Sequence, residues 1–275
     1  MPDQALTLPE AADKLGVHYM TVYRYVRTGL LPAAKVDGSW LISSTDLELM
    51  RPNGTRSAQS RSRGPKPAQS RLLDRLVAGD EAGAWSLLEG ALASDMKPEA
   101  VMLELIGPTL RTVGSRWQNG ELSIADEHSA SNVAARLISR LGARFLRRGV
   151  KLGTVILAAP AGEMHAAPVA MTANLLRWRG FDVVELGADT PPDALSEAVD
   201  RSPDLLALGV VCTTDGTDHA ARHAIARVRR TSPDTKVLLG GGAISGAAQA
   251  FELGADLYTK KSADEVVSAV EGLLV

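Results

Sequence analysis

Glu163 and His165 have types and spacing suited to holding a metal ion. An imidazole that ligates a metal usually donates its second N–H to an acceptor, which fixes tautomer and orientation. A carboxylate two residues away is such an acceptor. The pair, with Met164 between them, follows a short apolar run at 154–159, rich in Val and Ile, that reads as a buried strand. Small residues at Ala159, Ala161 and Gly162 lead from that strand toward a helix start. In an open α/β sheet, the carboxyl end of a strand is where ligands bind. The plainer reading is that His165 only caps the helix; an isolated Glu-x-His favours that reading, and the rest of the chain has to overturn it.

A second group stands upstream. Trp117 belongs to Trp117-Gln-Asn-Gly120, a helix-terminating composition, and Ser123-Ile-Ala-Asp126 reads as the cap of the next helix. Glu127 and His128 fall just inside that helix, so a short turn brings all three residues to one end of a helical segment. An indole can stack on a flat ring, and a carboxylate can accept hydroxyl hydrogen bonds. The plain alternative is a core Trp beside a helix start whose acid complements the macrodipole.

The elements that must position these groups follow from hydrophobic periodicity. From 153 onward strands near 154–159, 181–187, 204–211, 235–239 and 255–260 alternate with helices around 167–178, 191–200, 217–230, 245–252 and 263–274. That alternation predicts a flavodoxin-like doubly wound parallel sheet over 151–275. No Gly-x-Gly-x-x-Gly or phosphate loop occurs, which weakens a nucleotide-cofactor or ATPase reading. Residues 70–150 repeat apolar positions at helical spacing, as in Leu72, Leu73, Leu76 and Val77, and predict a four-helix bundle.

The first fifty residues differ in kind. Thr7-Leu-Pro-Glu10 reads as a capping box, Gly16 and Gly29 end two short helices, and Asp37-Gly38 marks a hairpin turn. The result is a winged helix-turn-helix over 1–50, with Ser43 and Asp46 starting a third helix. Thr21, Tyr23, Arg24 and Arg27 on the second helix are the candidate DNA-binding residues; a protein-interaction module is the alternative. Residues 51–69 carry Arg51, Arg56, Arg61, Arg63 and Lys66 among Ser, Gly, Pro and Gln, without an acid, and read as a flexible basic linker. The fold class is therefore multidomain, α and α/β.

Composition sets the remaining bounds. With 275 residues and 45% hydrophobic content, the chain has room for two domains and a third small one. A net charge of −2 confines any nucleic-acid contact to a local surface. One cysteine, Cys212, excludes an internal disulfide framework. No apolar run reaches membrane-spanning length and no signal-peptide pattern is present, so a cytoplasmic protein with no membrane contact is expected.

Taken together these motifs resemble known families. Glu163-Met-His165 resembles the Asp/Glu-x-His-x-x-Gly signature of cobalamin-binding domains, in which the histidine is the lower axial ligand of cobalt. The spacing of Trp117 to Glu127-His128 resembles that of CarH/LitR-type light-sensing cobalamin regulators, in which these residues accommodate the adenosyl group. The N-terminal domain resembles those of MerR-like and excisionase proteins through residues 17–25 and Gly29-Leu-Leu-Pro32. The resemblance implies cobalamin, adenosylcobalamin first, with His165 as the metal ligand. It also implies a cofactor site including Glu163, Met164, Gly209, Val211, Thr213, Gly240, Gly241, Gly242 and Tyr258.

It implies a double-stranded DNA operator as partner, a homo-oligomer with a tetramer as candidate dark state, and a regulator rather than an enzyme. Corrinoid methyl carriers share the bundle plus α/β arrangement and form the alternative, as does a regulator sensing another tetrapyrrole. Three positions depart from the pattern. Pro168 stands where the signature has Gly, Gly209 where Ser is usual, and Gln118 where light-responsive members can carry a histidine after the tryptophan.

Overall fold

The computed structural model describes residues 5–15, 19–27, 31–36, 39–49, 67–202, 204–259 and 263–274. The chain divides into two compact units, 1–87 with 105–133 and 88–104 with 134–275.

The N-terminal elements are β1 (Ala5–Thr7), α1 (Leu8–Leu15), α2 (Tyr19–Arg27), β2 (Ala34–Val36), β3 (Ser39–Ser43) and α3 (Ser44–Leu49). Glu10 accepts hydrogen bonds from both the backbone N–H and the hydroxyl of Thr7, 2.8 Å each, which makes the glutamate half of the expected capping box. Ser43 Oγ likewise accepts from the N–H groups of Thr45 and Asp46 at the start of α3. Leu6, Ala11, Ala12, Val22, Val26, Leu31, Ile42 and Leu47 form one small core. The sheet is antiparallel in the order β1-β3-β2. Strand β1 is absent from the sequence reading because three residues are too few to show alternation; pairing Leu6 with Ile42 buries both. The turn at Asp37-Gly38 and the helix-ending Gly16 and Gly29 lie outside the described residues.

The helical segment comprises α4 (Pro67–Val77), α5 (Glu81–Ala93), α6 (Pro98–Ala100), a π-helical stretch Val101–Ile106, α7 (Gly107–Gln118), α8 (Ile124–Gly142) and a 3-10 turn Ala143–Phe145. Helix α4 begins inside the stretch read as linker, with a proline at its first position, where a missing N–H costs nothing. The π stretch interrupts what periodicity predicts as one regular helix. Pro108 has no N–H to give the carbonyl four residues back, and a widened turn accommodates that mismatch. Along α8, Val133, Ala134, Leu137, Ile138 and Leu141 are buried at helical spacing.

The C-terminal domain runs β4 (Thr154–Pro160), α9 (Ala166–Arg179), β5 (Asp182–Thr190), α10 (Pro192–Asp200), β6 (Leu205–Val211), α11 (Asp218–Thr231), β7 (Val237–Gly240), α12 (Ala247–Glu252), β8 (Leu257–Thr259) and α13 (Ala263–Glu271). All strands are parallel, in the order β5-β4-β6-β7-β8. This is the flavodoxin-like doubly wound order, with its topological switch point at β4. Residues 155–160 of β4 are buried, as a central strand covered on both faces requires. Helix α9 packs on β4 and β5 and against α13, and buries Val169 and residues 171–176. Among the described residues no helix is long and apolar enough to cross a membrane.

Candidate functional site

Strand β4 ends at the switch point, and the loop after it carries Gly162, Glu163, Met164 and His165. His165 occupies the N-cap position of α9 but makes no side-chain cap hydrogen bond. Its ring turns back instead, placing Nδ1 2.6 Å from Glu163 Oε1, and its backbone N–H donates to the same oxygen at 3.1 Å. The geometry thus departs from the capping reading. With the Nδ1 proton held by the carboxylate, Nε2 carries the lone pair that would donate to a metal. The imidazole is 61% exposed while the Glu163 side chain is fully buried.

Glu163 is the hub of this arrangement. Its Oε2 accepts from the backbone N–H of Thr213 (2.6 Å) and of Thr214 (2.7 Å) and from the Thr213 hydroxyl (2.9 Å). Its Oε1 accepts from the Thr214 hydroxyl at 3.0 Å. Burial by itself would raise the carboxyl pKa, but the hydrogen bonds from His165, Thr213 and Thr214 outweigh it and hold the group at about 2. Thr213 therefore reaches the site by anchoring Glu163. Thr214 does the same and is missing from the sequence reading, because a hydroxyl following a strand carries no periodic signal.

A carboxyl lowered on folding contributes stability that is fully present above its unfolded value and lost as pH falls through its folded one. For Glu163 that window runs from 4.5 down to about 2, and the contribution is on the order of 3 kcal/mol. Denaturant melts of the cofactor-free protein should show Glu163→Gln less stable at pH 7, with the difference narrowing below pH 4. Equal stability of the two proteins at pH 7 would contradict the hub role.

The glycines differ in what surrounds them. Gly209 is buried in β6, and a Cβ there would stand 2.5 Å from Leu157 Cδ2, so Leu157 fills the space of the usual serine side chain. Gly240 lies against Thr259, whose carbonyl oxygen would be 2.8 Å from an added Cβ. Gly241, at φ +114°, lies directly on the Cys212 backbone. Gly242 is exposed, and a Cβ there would meet nothing closer than the Thr213 carbonyl oxygen at 3.9 Å. Gly240 and Gly241 thus allow close backbone packing, and Gly242 leaves open space at the strand ends. Val211 is half-buried and Met164 is 70% exposed. The Tyr258 hydroxyl lies within the same domain, donating to the Ile244 carbonyl at 3.4 Å.

The upstream group lies in the other unit. Trp117 is in the last turn of α7, and Glu127 and His128 are in the first turns of α8, as the sequence predicts. Ser123 and Asp126 cap α8 reciprocally: Asp126 accepts from the Ser123 N–H at 2.9 Å and Ser123 Oγ accepts from the Asp126 N–H at 3.1 Å. Glu127 bonds His128 Nδ1 at 2.7 Å and accepts from the Ser131 hydroxyl at 2.6 Å. Trp117 Nε1 is buried without a hydrogen-bond partner. Of the N-terminal candidates, Tyr23 is half-buried on α2, whereas the side chains of Thr21, Arg24 and Arg27 lie outside the described residues.

Among the described residues no three His, Cys, Asp or Glu side chains group as a metal cage. A metal held through His165 would have to bring its remaining ligands with it, as a metal inside a macrocycle does. The donor set fits a cobalt corrinoid in that respect.

Comparisons with known proteins agree with this fit. Residues 68–141 and 153–271 each match a family model described as a B12 binding domain, and residues 5–50 match one described as a helix-turn-helix domain. Trimethylamine corrinoid protein 1 of Methanosarcina acetivorans is 26% identical over 206 residues, covering 74% of this chain and 94% of that protein. The HTH-type transcriptional repressor CarH of Myxococcus xanthus is 33% identical over 184 residues, 65% of this chain and 58% of that protein. Among solved structures, the monomethylamine corrinoid protein of Methanosarcina barkeri superposes with a TM-score of 0.64 at 18% identity, over 74% of this chain and 98% of that one. That last likeness is one of fold.

Proposed function

We propose that this chain, which carries a helix-turn-helix domain followed by two B12 binding domains, is a cobalamin-dependent, DNA-binding transcriptional regulator. It works in the cytoplasm, as a sensor and not as an enzyme. The observation that carries the reading is the presence, in one chain, of a helix-turn-helix domain and of the Glu163–His165 pair at the switch point of the sheet. His165 would supply the nitrogen that holds the cobalt, while Glu163 holds the tautomer, and Thr213 with Thr214 holds Glu163. Gly242, open at the strand ends, would admit the cofactor's tail near the backbone, with Gly240 and Gly241 packed closely beside it, and Trp117, Glu127 and His128 would serve the adenosyl group. Adenosylcobalamin, when bound, supplies a cobalt–carbon bond that visible light breaks. The chain's own task is to convert the presence or loss of the adenosyl group into assembly on an operator.

The second reading is a corrinoid methyl carrier. It is favoured by the match to nearly the whole of the trimethylamine corrinoid protein. That match spans three quarters of this chain, and the helix-turn-helix at 5–50 is what the carrier reading leaves without a task.

A gel shift on the promoter DNA of neighbouring genes separates the two. Arg24→Ala with Arg27→Ala should abolish the shift, since a bidentate arginine–guanine contact is worth about 1–3 kcal/mol. Cobalamin binding should survive in the same variant. Normal operator binding by the double variant would place the DNA surface elsewhere. No DNA binding in any cofactor state, with methyl-group acceptance from a corrinoid methyltransferase, would favour the carrier.

A further inference from the structure

The loop bearing His165 is held from both neighbouring strands, and only one of the two attachments involves Glu163's side chain. The other comes from β5. Opposite the end of β4, that strand carries extra residues: Leu157 pairs with Glu185, Ala158 with Gly187 and Pro160 with Thr190, so the register slips twice. Bulges of this kind re-aim side chains beside functional sites. Asp189 sits in the second slip, at φ +50°, a left-handed conformation that Asp tolerates better than most residues and glycine better still. In that conformation its backbone N–H donates to the Glu163 carbonyl at 2.8 Å. Its carboxylate Oδ1 accepts the Gly162 N–H at 2.7 Å. Gly162 is itself at φ +83°, so the tripeptide ahead of His165 is bent and pinned at both of its first two residues.

The structure assigns Asp189 as the positioning residue of the histidine loop: it fixes the main chain of Gly162 and Glu163, while Thr213 and Thr214 fix the Glu163 carboxylate. The direction of the His165 ring depends on both. The Glu163 main chain sets where the carboxylate starts, and the Nδ1–H bond of 2.6 Å tolerates little displacement. This assignment rests on the proposed axial role of His165 for its consequence in cofactor binding, but its geometric content concerns the cofactor-free protein.

The test uses the full chain with Asp189→Gly and Asp189→Asn. Glycine keeps the left-handed backbone and removes the carboxylate, and Asp189 is exposed, so the fold is retained. Asparagine restores an acceptor oxygen. In nitrogen NMR of the cofactor-free protein, wild type should show a protected His165 Nδ1–H, Asp189→Gly should lose it to fast solvent exchange, and Asp189→Asn should recover it. Hydroxocobalamin titrations should follow the same order, with Asp189→Gly weaker by about 10-fold, the lower end for a residue that orients a ligand. A protected Nδ1–H in Asp189→Gly, indistinguishable from wild type, overturns the assignment whatever the cofactor does. Lost protection in that variant, with no cobalamin bound by any of the three proteins, retains the positioning role and refutes the cobalamin reading instead.

Discussion

Replacing His165 by alanine is expected to eliminate the histidine-ligated cobalamin spectrum and to weaken cofactor retention by more than the roughly 10–100-fold typical of losing a residue that merely orients a ligand. The reason is local. His165 offers the one imidazole at the end of β4, its Nδ1 is held by a buried carboxylate at 2.6 Å, and among the described residues no cluster of alternative donors could replace it. The ring is 61% exposed, so the cofactor-free protein should lose only the His165 share of the hydrogen bonds that hold Glu163, and less stability than in Glu163→Gln. Glu163→Gln should give an intermediate result, keeping a ligand whose tautomer and direction are no longer enforced. The measurement is equilibrium dialysis with absorption spectroscopy, at a temperature where melting curves show every variant folded. An alanine variant with unchanged spectrum and affinity would remove His165 from the site and, with it, the reason for the Glu163 network.

Much of this site is legible in the sequence, because strand ends announce themselves. The apolar run 154–159 locates β4, and Glu163 and His165 follow at a distance that leaves no room for them elsewhere than on its terminal loop. Long periodic segments such as α8 are legible for the same reason. What escapes is whatever depends on register between strands far apart in sequence. Thr214 lies 51 residues from Glu163, and nothing local distinguishes it from a loop residue. Leu186-Gly-Ala-Asp189 reads as a strand end on the ligand-binding side, but the reach of Asp189 to Gly162 across 27 residues has no local sign. Strand β5 extends to Thr190, beyond the expected 187, because its two register slips carry it past the end of the apolar pattern. The π stretch before α7 is likewise invisible to a 3.6-residue period, although Pro108 is its sequence trace.

The glycines teach a different lesson. From sequence, Gly209 and Gly240–Gly242 look alike as small residues at strand ends. In the structure Gly209 is small because Leu157 occupies its side, and Gly241 because the Cys212 backbone does. Those two positions are fixed by packing within the sheet. Gly242 alone of the four faces open space, so a substitution there tests ligand access with the least disturbance of the core.

The second large effect expected is a light-dependent change of assembly. A ligand shifts an equilibrium between two arrangements only by its differential affinity for them, so the adenosyl group must make contacts that its loss removes. Trp117, with an unpartnered buried Nε1, and the Glu127–His128 pair are the residues assigned to it. Assembly matters because one winged helix-turn-helix presents a small surface, and linking several raises operator affinity through effective concentration without new contacts. Moving such an equilibrium from 1:99 to 99:1 requires about 5.5 kcal/mol of preference, and a smaller preference shifts it only part of the way. Operator binding should therefore be tightest with adenosylcobalamin in the dark and fall after illumination. Methylcobalamin should substitute poorly, and Trp117→Ala should reduce the contrast between the two cofactors. Gln118 offers no imidazole beside Trp117, so no stable second histidine ligand is expected from that position after illumination. Size-exclusion chromatography and gel shift, run in parallel on dark and illuminated samples with each cobalamin, read both halves of the argument. Identical oligomer size and operator affinity under all four conditions would reject the switch, since no differential contact would then connect the adenosyl group to assembly.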